Sequence, residues 1–131
     1  SAAKGGVDVR IITPYCGDKW FVHEVTRSYY NVLIESGVKI YEYIPGFIHS
    51  KTYVVDDEYG IVGSINMDYR SLYLHFECGV WMYRASSIID MKQDFLNTLK
   101  MCKQMTIEDL KAVKWYRILV RLVLRIFSPL M

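Results

Sequence analysis

The sequence has little of what most quickly assigns a function. Its three cysteines, Cys16, Cys78 and Cys102, are scattered, with no C-x-x-C pair and no histidine at ligand spacing. That excludes a disulfide framework and the usual zinc patterns, and it fits small buried thiols in a reducing compartment. No apolar run approaches the ~18–20 residues needed to span a bilayer. Neither sign of charge dominates: sixteen Lys plus Arg against fourteen Asp plus Glu leave +2. Bulk charge therefore argues for no nucleic-acid partner, and a basic surface must come from local clustering. The carboxylates are too few and too scattered for a hard-cation cage, so no metal and no other cofactor is expected.

What is present is a chain of 131 residues, 52% hydrophobic and 15% aromatic, which fits one folded domain and excludes a disordered segment. It opens on Ser1-Ala2-Ala3-Lys4-Gly5-Gly6, the pattern of a last helical turn with its glycine cap. The expectation is a fragment of a longer protein. Val7 to Thr13 alternates and ends at Pro14, a strand. Asp18 is placed to cap a helix with Phe21, Val22, Val25, Tyr29, Val32 and Leu33 at helical spacing, closed by Ser36-Gly37. Val38 to Tyr43 alternates as a second strand, and this order of elements points to parallel α/β units.

Two β-rich runs follow, Ile48 to Val55 and Tyr59 to Gly63, joined by a turn at Asp56-Asp57-Glu58. Ser64 to Ser71 is polar and without period. Phe76 to Tyr83 reads as a strand with Glu77 inside it, and Ser87 to Lys103 as a helix. A last helix opens at Thr106, with Asp109 completing a capping box, and ends before Pro129. The expected fold class is α/β, one layer of mixed sheet flanked by helices, in a body of residues 1–105, followed by an amphipathic C-terminal helix and tail, 106–131.

Between His49 and Glu77 the residue types point to chemistry. His49 and Lys51 are two apart on a strand and leave the same face, whereas Asp56, seven from His49, is aimed at the other. Past the turn, Gly63-Ser64-Ile65-Asn66 returns a hydroxyl and a carboxamide toward the start of the first strand. His, Lys, Ser and Asn without a carboxylate cage make an oxyanion site: Lys supplies a point charge, and Asn and Ser supply neutral donors. An imidazole beside them can attack phosphorus or move a proton.

The string His49-x-Lys51-x-x-x-x-Asp56, then Gly63-Ser64-x-Asn66, resembles the HxKxxxxD…GSxN signature of the phospholipase D superfamily. The extension Asn66-x-Asp68-x-Arg70-Ser71 and the following Phe76-Glu77 are most similar to the C-terminal catalytic half of bacterial cardiolipin synthases. The resemblance implies a phospholipase D-like half domain. It also implies a phosphatidyltransferase that joins two phosphatidylglycerols into cardiolipin through a phosphohistidine. It gives His49 a catalytic role, as acid and base rather than as nucleophile. Lys51 and Asn66 would hold phosphate oxygens with Ser64 as a supporting donor, and Glu77 would orient the imidazole. Asp56 belongs to the catalytic signature, although its strand parity assigns it a structural part. Asp68, Arg70 and His75 would surround the site, Arg70 holding a second phosphate or bracing the loop through Asp68. Where this chain has His75, the family usually has Asn.

The family's site needs two such motifs and this chain has one, so the second half is expected either in cis or from a second copy. The alternative is a single-motif homodimer acting as a phosphodiesterase or nuclease. The expected partners are phosphatidylglycerol, other anionic phospholipid and a membrane surface, with no nucleic acid. Lys111, Lys114, Arg117, Arg121 and Arg125 form one basic stripe beside an apolar face, the composition of a helix lying in a membrane interface. Lys114, Arg117, Arg121 and Arg125 are thus the expected membrane contacts, and the expected location is the cytoplasmic face of the bacterial cell membrane. The same wheel fits a helix buried against another part of a longer chain with its arginines reaching out.

Overall fold

The structure, a computed structural model, describes residues 1–17, 19–113 and 115–126, apart from the side chain of Trp115. The expected helix cap at Asp18 and the helix end before Pro129 lie outside the described residues. The chain divides into two compact units, residues 1–48 with 101–131, and residues 49–100.

In the first unit β1 (Arg10–Pro14) leads through α1 (Trp20–Glu35) to β2 (Lys39–Tyr43), which pairs parallel with β1. A short third strand, β6 (Cys102–Gln104), pairs antiparallel on the free edge of β2. Gly37 ends α1 in the left-handed region at φ 91°, which a glycine takes at no steric cost. Tyr30, Val38 and Ile40 form the core, with Val9, Ile11, Leu33, Ile34, Met105 and Leu110 packed around them. The alternation of β2 turns Ile40 and Glu42 inward. Glu42, buried, is tolerated because Arg27 donates to both carboxylate oxygens at 2.8 and 2.9 Å and the Tyr30 hydroxyl adds a third bond at 3.3 Å. Burial in turn pushes the Tyr30 phenol well above its ordinary value.

The C-terminal segment departs from the sequence reading in three ways. The helix expected to reach Lys103 stops earlier, as α2 (Ser87–Leu99), and Cys102 to Gln104 completes the first sheet. The last helix is two: α3 (Ile107–Lys111), opened by the expected Thr106–Asp109 capping box, and α4 (Trp115–Ile126). The basic stripe of α4 faces α1. Arg117 and Arg121 donate to the two oxygens of Glu24 at 2.9 and 2.6 Å, and Arg125 lies over the Tyr29 ring at 4.5 Å. Arg121, 8% exposed, is therefore turned to α1 rather than to lipid, whereas Arg117 and Arg125 reach α1 while staying exposed; Lys114 lies outside the described residues. Ile118, Leu119, Leu122, Val123 and Ile126 are exposed instead. A buried acid on α1 outcompetes the solvent for the arginines.

The second unit is an antiparallel meander, β3 (Lys51–Val55), β4 (Tyr59–Gly63) and β5 (Gly79–Tyr83), with α2 on one face. The strands thus divide between two three-stranded sheets instead of one sheet. Asp56 and Asp57 take φ of 52° and 60°, and the Glu58 N–H donates to the Val55 carbonyl, which is the primed turn that matches strand twist. Ile88 of α2 is fully buried over Gly60, where a Cβ would press on Ile88 and Met82 at 3.1 and 3.3 Å. Trp20 and Trp81 are exposed, Trp81 stacking on Tyr59. Cys16 and Cys78 are likewise exposed, not buried, thiols.

Candidate functional site

All the nominated catalytic residues lie in the second unit, and all but Asp56 gather at the open end of the meander. The last row of the ladder is Lys51, Gly63 and Gly79, paired side by side. His49 precedes that row, Ser64 follows it, and Glu77 stands two residues before it. His49 is not itself on a strand, since β3 begins at Lys51, and Glu77 sits outside β5, which begins at Gly79. Gly63 is required here. A Cβ on it would run into the Cys78 carbonyl and stand 2.6 Å from the Gly79 Cα. The Ser64 N–H donates to the same Cys78 carbonyl at 2.9 Å, and so the chain after β4 is locked against the chain before β5.

Lys51 Nζ lies 3.0 Å from His49 Nδ1 and donates to the His49 carbonyl at 2.6 Å. An ammonium can only donate, so Nδ1 accepts. Two of the three Lys51 protons are thereby used. Asn66 is exposed on the loop after Ser64. That loop is pinned by Tyr53, whose hydroxyl donates to the Ile65 carbonyl at 2.8 Å.

Glu77 is held by two hydroxyls, those of Ser64 and Ser71. Those bonds come first in holding its carboxyl below the usual range, and the nearby charge of Lys51 adds to them. The Ser64 oxygen also accepts the Cys78 N–H at 3.0 Å. A hydroxyl has one proton, and that of Ser64 points to Glu77, so Ser64 is folded as a support for the carboxylate rather than as the expected phosphate donor. Glu77 accepts from the two serines, and Lys51 occupies one nitrogen, Nδ1, of the imidazole that Glu77 was expected to orient.

The structure separates Asp56 from this group. It lies in the turn at the far end of β3, about 17 Å from Lys51 at the usual strand rise. The polar stretch after Asn66 folds where no regular element was read. Asp68 accepts the Ser71 N–H at 2.7 Å, and Arg70–Leu74 forms one π-helical turn closed by the His75 N–H on the Arg70 carbonyl at 2.9 Å. Arg70 Nε donates to His75 Nε2. Tyr53 and Ser71 are the functional side chains the sequence reading gave no role, although Ser71 lies within the motif. Among the described residues no three His, Cys, Asp or Glu side chains gather as metal ligands.

A family of proteins described as "Cardiolipin synthase, PLD-like domain" matches residues 1–99. Among similar proteins, an uncharacterized protein of Streptococcus mutans is 44% identical over 99% of this chain and 28% of its own length. A cardiolipin synthase of Halalkalibacterium halodurans is 41% identical over 99% of the chain and 26% of its own length. Cardiolipin synthase 2 of Bacillus anthracis is 38% identical over 99% and 25%. The chain therefore spans about a quarter of the length of these relatives. No solved structure matches it. With the matched region covering both sheets' long strands and the whole His49–Glu77 group, the chain belongs to the cardiolipin synthase PLD-like domain family.

Proposed function

We propose that this chain is one catalytic half of a phosphatidyltransferase that joins two phosphatidylglycerols into cardiolipin and releases glycerol. The observation that carries the reading is the clustering of His49, Lys51, Ser64 and Glu77 at one end of the meander, in a chain of this family. A second histidine, from another half in the same chain or from a second copy, attacks phosphorus. An N–P bond forms and the bond from phosphorus to the glycerol oxygen breaks. Lys51 and Asn66 hold the phosphate oxygens as charge builds on them. His49, as the acid, gives a proton to the departing glycerol. It then takes one from the hydroxyl of the second phosphatidylglycerol, whose oxygen displaces the histidine from phosphorus.

Such an enzyme works at the headgroup level of a membrane, on its cytoplasmic face. No helix among the described residues is long and apolar enough to cross one. The exposed Ile118, Leu119, Leu122, Val123 and Ile126 of α4 supply an apolar surface suited to lying on lipid.

The test is the full-length protein in anionic vesicles with labelled phosphatidylglycerol, wild type against His49→Ala. Cardiolipin formation that drops by roughly 10²–10⁴ in the variant is the expected result. Phosphatidic acid as the sole product would make the protein a phospholipase. No lipid turnover would return the weight to a nucleic-acid phosphodiesterase.

A further inference from the structure

Among the described residues, Arg70 stands apart from the other arginines. Arg10, Arg27, Arg84, Arg117 and Arg121 pair with carboxylates, and Arg125 lies over a tyrosine ring. Arg70 is held through Nε by a neutral imidazole nitrogen of His75. The carboxylate nearest in sequence, Asp68, turns an oxygen to the Ser71 N–H instead, so the bracing of Arg70 through Asp68 is not what the loop does. An acceptor without charge fixes the direction of a guanidinium and leaves its charge whole, with the Nη hydrogens still to be used. The holder is placed next to the site: His75 closes the π turn and stands two residues before Glu77. The π turn that carries Arg70 lies between Asn66 and Glu77, a local irregularity of the kind that re-aims side chains at functional sites.

We propose that Arg70, positioned by His75, binds a second phosphodiester anion beside the reacting one: the phosphate of the acceptor lipid, which is not itself attacked. This rests on the phosphatidyltransferase reading and extends it to how the acceptor is chosen. Joining two phosphatidylglycerols brings two phosphates to the ends of a single glycerol bridge. Lys51 and Asn66 account for one of them, and a planar, fully charged guanidinium is the group that matches the other. Free glycerol has no phosphate and gains nothing from Arg70.

The experiment follows two reactions in one sample. Full-length protein is given phosphatidylglycerol vesicles and labelled glycerol. Exchange of glycerol into phosphatidylglycerol and formation of cardiolipin are measured together, since both pass through the same phosphatidyl-enzyme. In Arg70→Gln the ratio of cardiolipin to exchange is expected to fall roughly ten- to hundred-fold, the loss of one charged hydrogen-bonding group. His75→Asn, which keeps an acceptor, should hold the ratio near wild type, and His75→Leu should lower it. A ratio unchanged in Arg70→Gln overturns the proposal, whether both rates stay or both fall together. Wild type that exchanges glycerol without making cardiolipin overturns it as well while leaving the transferase intact. Wild type that does neither removes the transferase reading and this one with it.

Discussion

Replacing Glu24 by leucine should destabilise the chain by about 3–5 kcal/mol, the usual result of leaving one member of a buried pair without the other. Glu24 is 4% exposed and Arg121 8%. Their bond, Arg121 Nε to Oε2 at 2.6 Å, is the short charge-assisted kind. Arg117, with half of its side chain exposed, adds at most about 1 kcal/mol. For a domain of this size the loss corresponds to a melting point lower by roughly 10–20 °C. Circular dichroism against temperature and urea reads it, and hydrogen exchange in α1 and α4 shows where it acts. The double variant Glu24→Leu with Arg121→Met should recover most of the loss, because an apolar pair of similar volume has no charge to leave stranded. The sign with pH follows from the carboxyl. Burial pushes it up, but the Arg121 hydrogen bond and the charges of Arg121, Arg117 and Arg27 outweigh burial and hold it below its ordinary 4.5. The stabilisation is therefore complete above about pH 4.5 and is lost as pH falls through the folded value, a slope that Glu24→Leu should remove. A single-variant loss under about 1 kcal/mol, or a double variant no better than the single, would refute the pairing of α4 on α1.

Two further outcomes test the local geometry. Gly63→Ala should destabilise by about 1–3 kcal/mol and reduce any activity that needs Ser64 and Glu77, because the added Cβ meets backbone that has nowhere to go. Gly46→Ala, with open space around it, should stay within about 0.5 kcal/mol in the same urea titration. The Asp109 carboxyl, held down to about 2 by Lys103 and then by Thr106, should titrate there by NMR; Thr106→Ala should move the midpoint upward, and an unmoved midpoint would refute the capping box.

The strands β1 and β2 and the helix between them were legible because alternation and helical spacing each declare a buried face. The return of Ser64 to the row of Lys51 was legible for a different reason: a hairpin returns the chain to its start whatever the side chains are. Three features were hidden. β6 has only Cys102, Lys103 and Gln104, too short to show a period, and it exists because β2 has a free edge to be paired. The π turn depends on Asp68 and His75 closing a loop whose composition carries no periodic signal. The direction of α4 depends on Glu24, which in sequence is an ordinary acid on a helix; a wheel shows which residues share a stripe but not which stripe faces inward. The use of the Ser64 hydroxyl also could not be read, since a motif names residues without saying how one hydroxyl proton is spent.

The pairing of Tyr43 with Cys102 has a topological consequence. Residues 44–101 leave the first sheet and return to it on the next strand at the same row. Sealing that row before the intervening chain has folded costs about 4 kcal/mol of loop entropy, more than a three-residue strand can repay. The meander, with its tight turn, forms from neighbours in sequence and faces no such delay. Assembly therefore runs from the reactive end outward, and β6 is the seam closed last. In a ribosome-bound chain the catalytic loops can be in place while the first sheet still lacks its final strand.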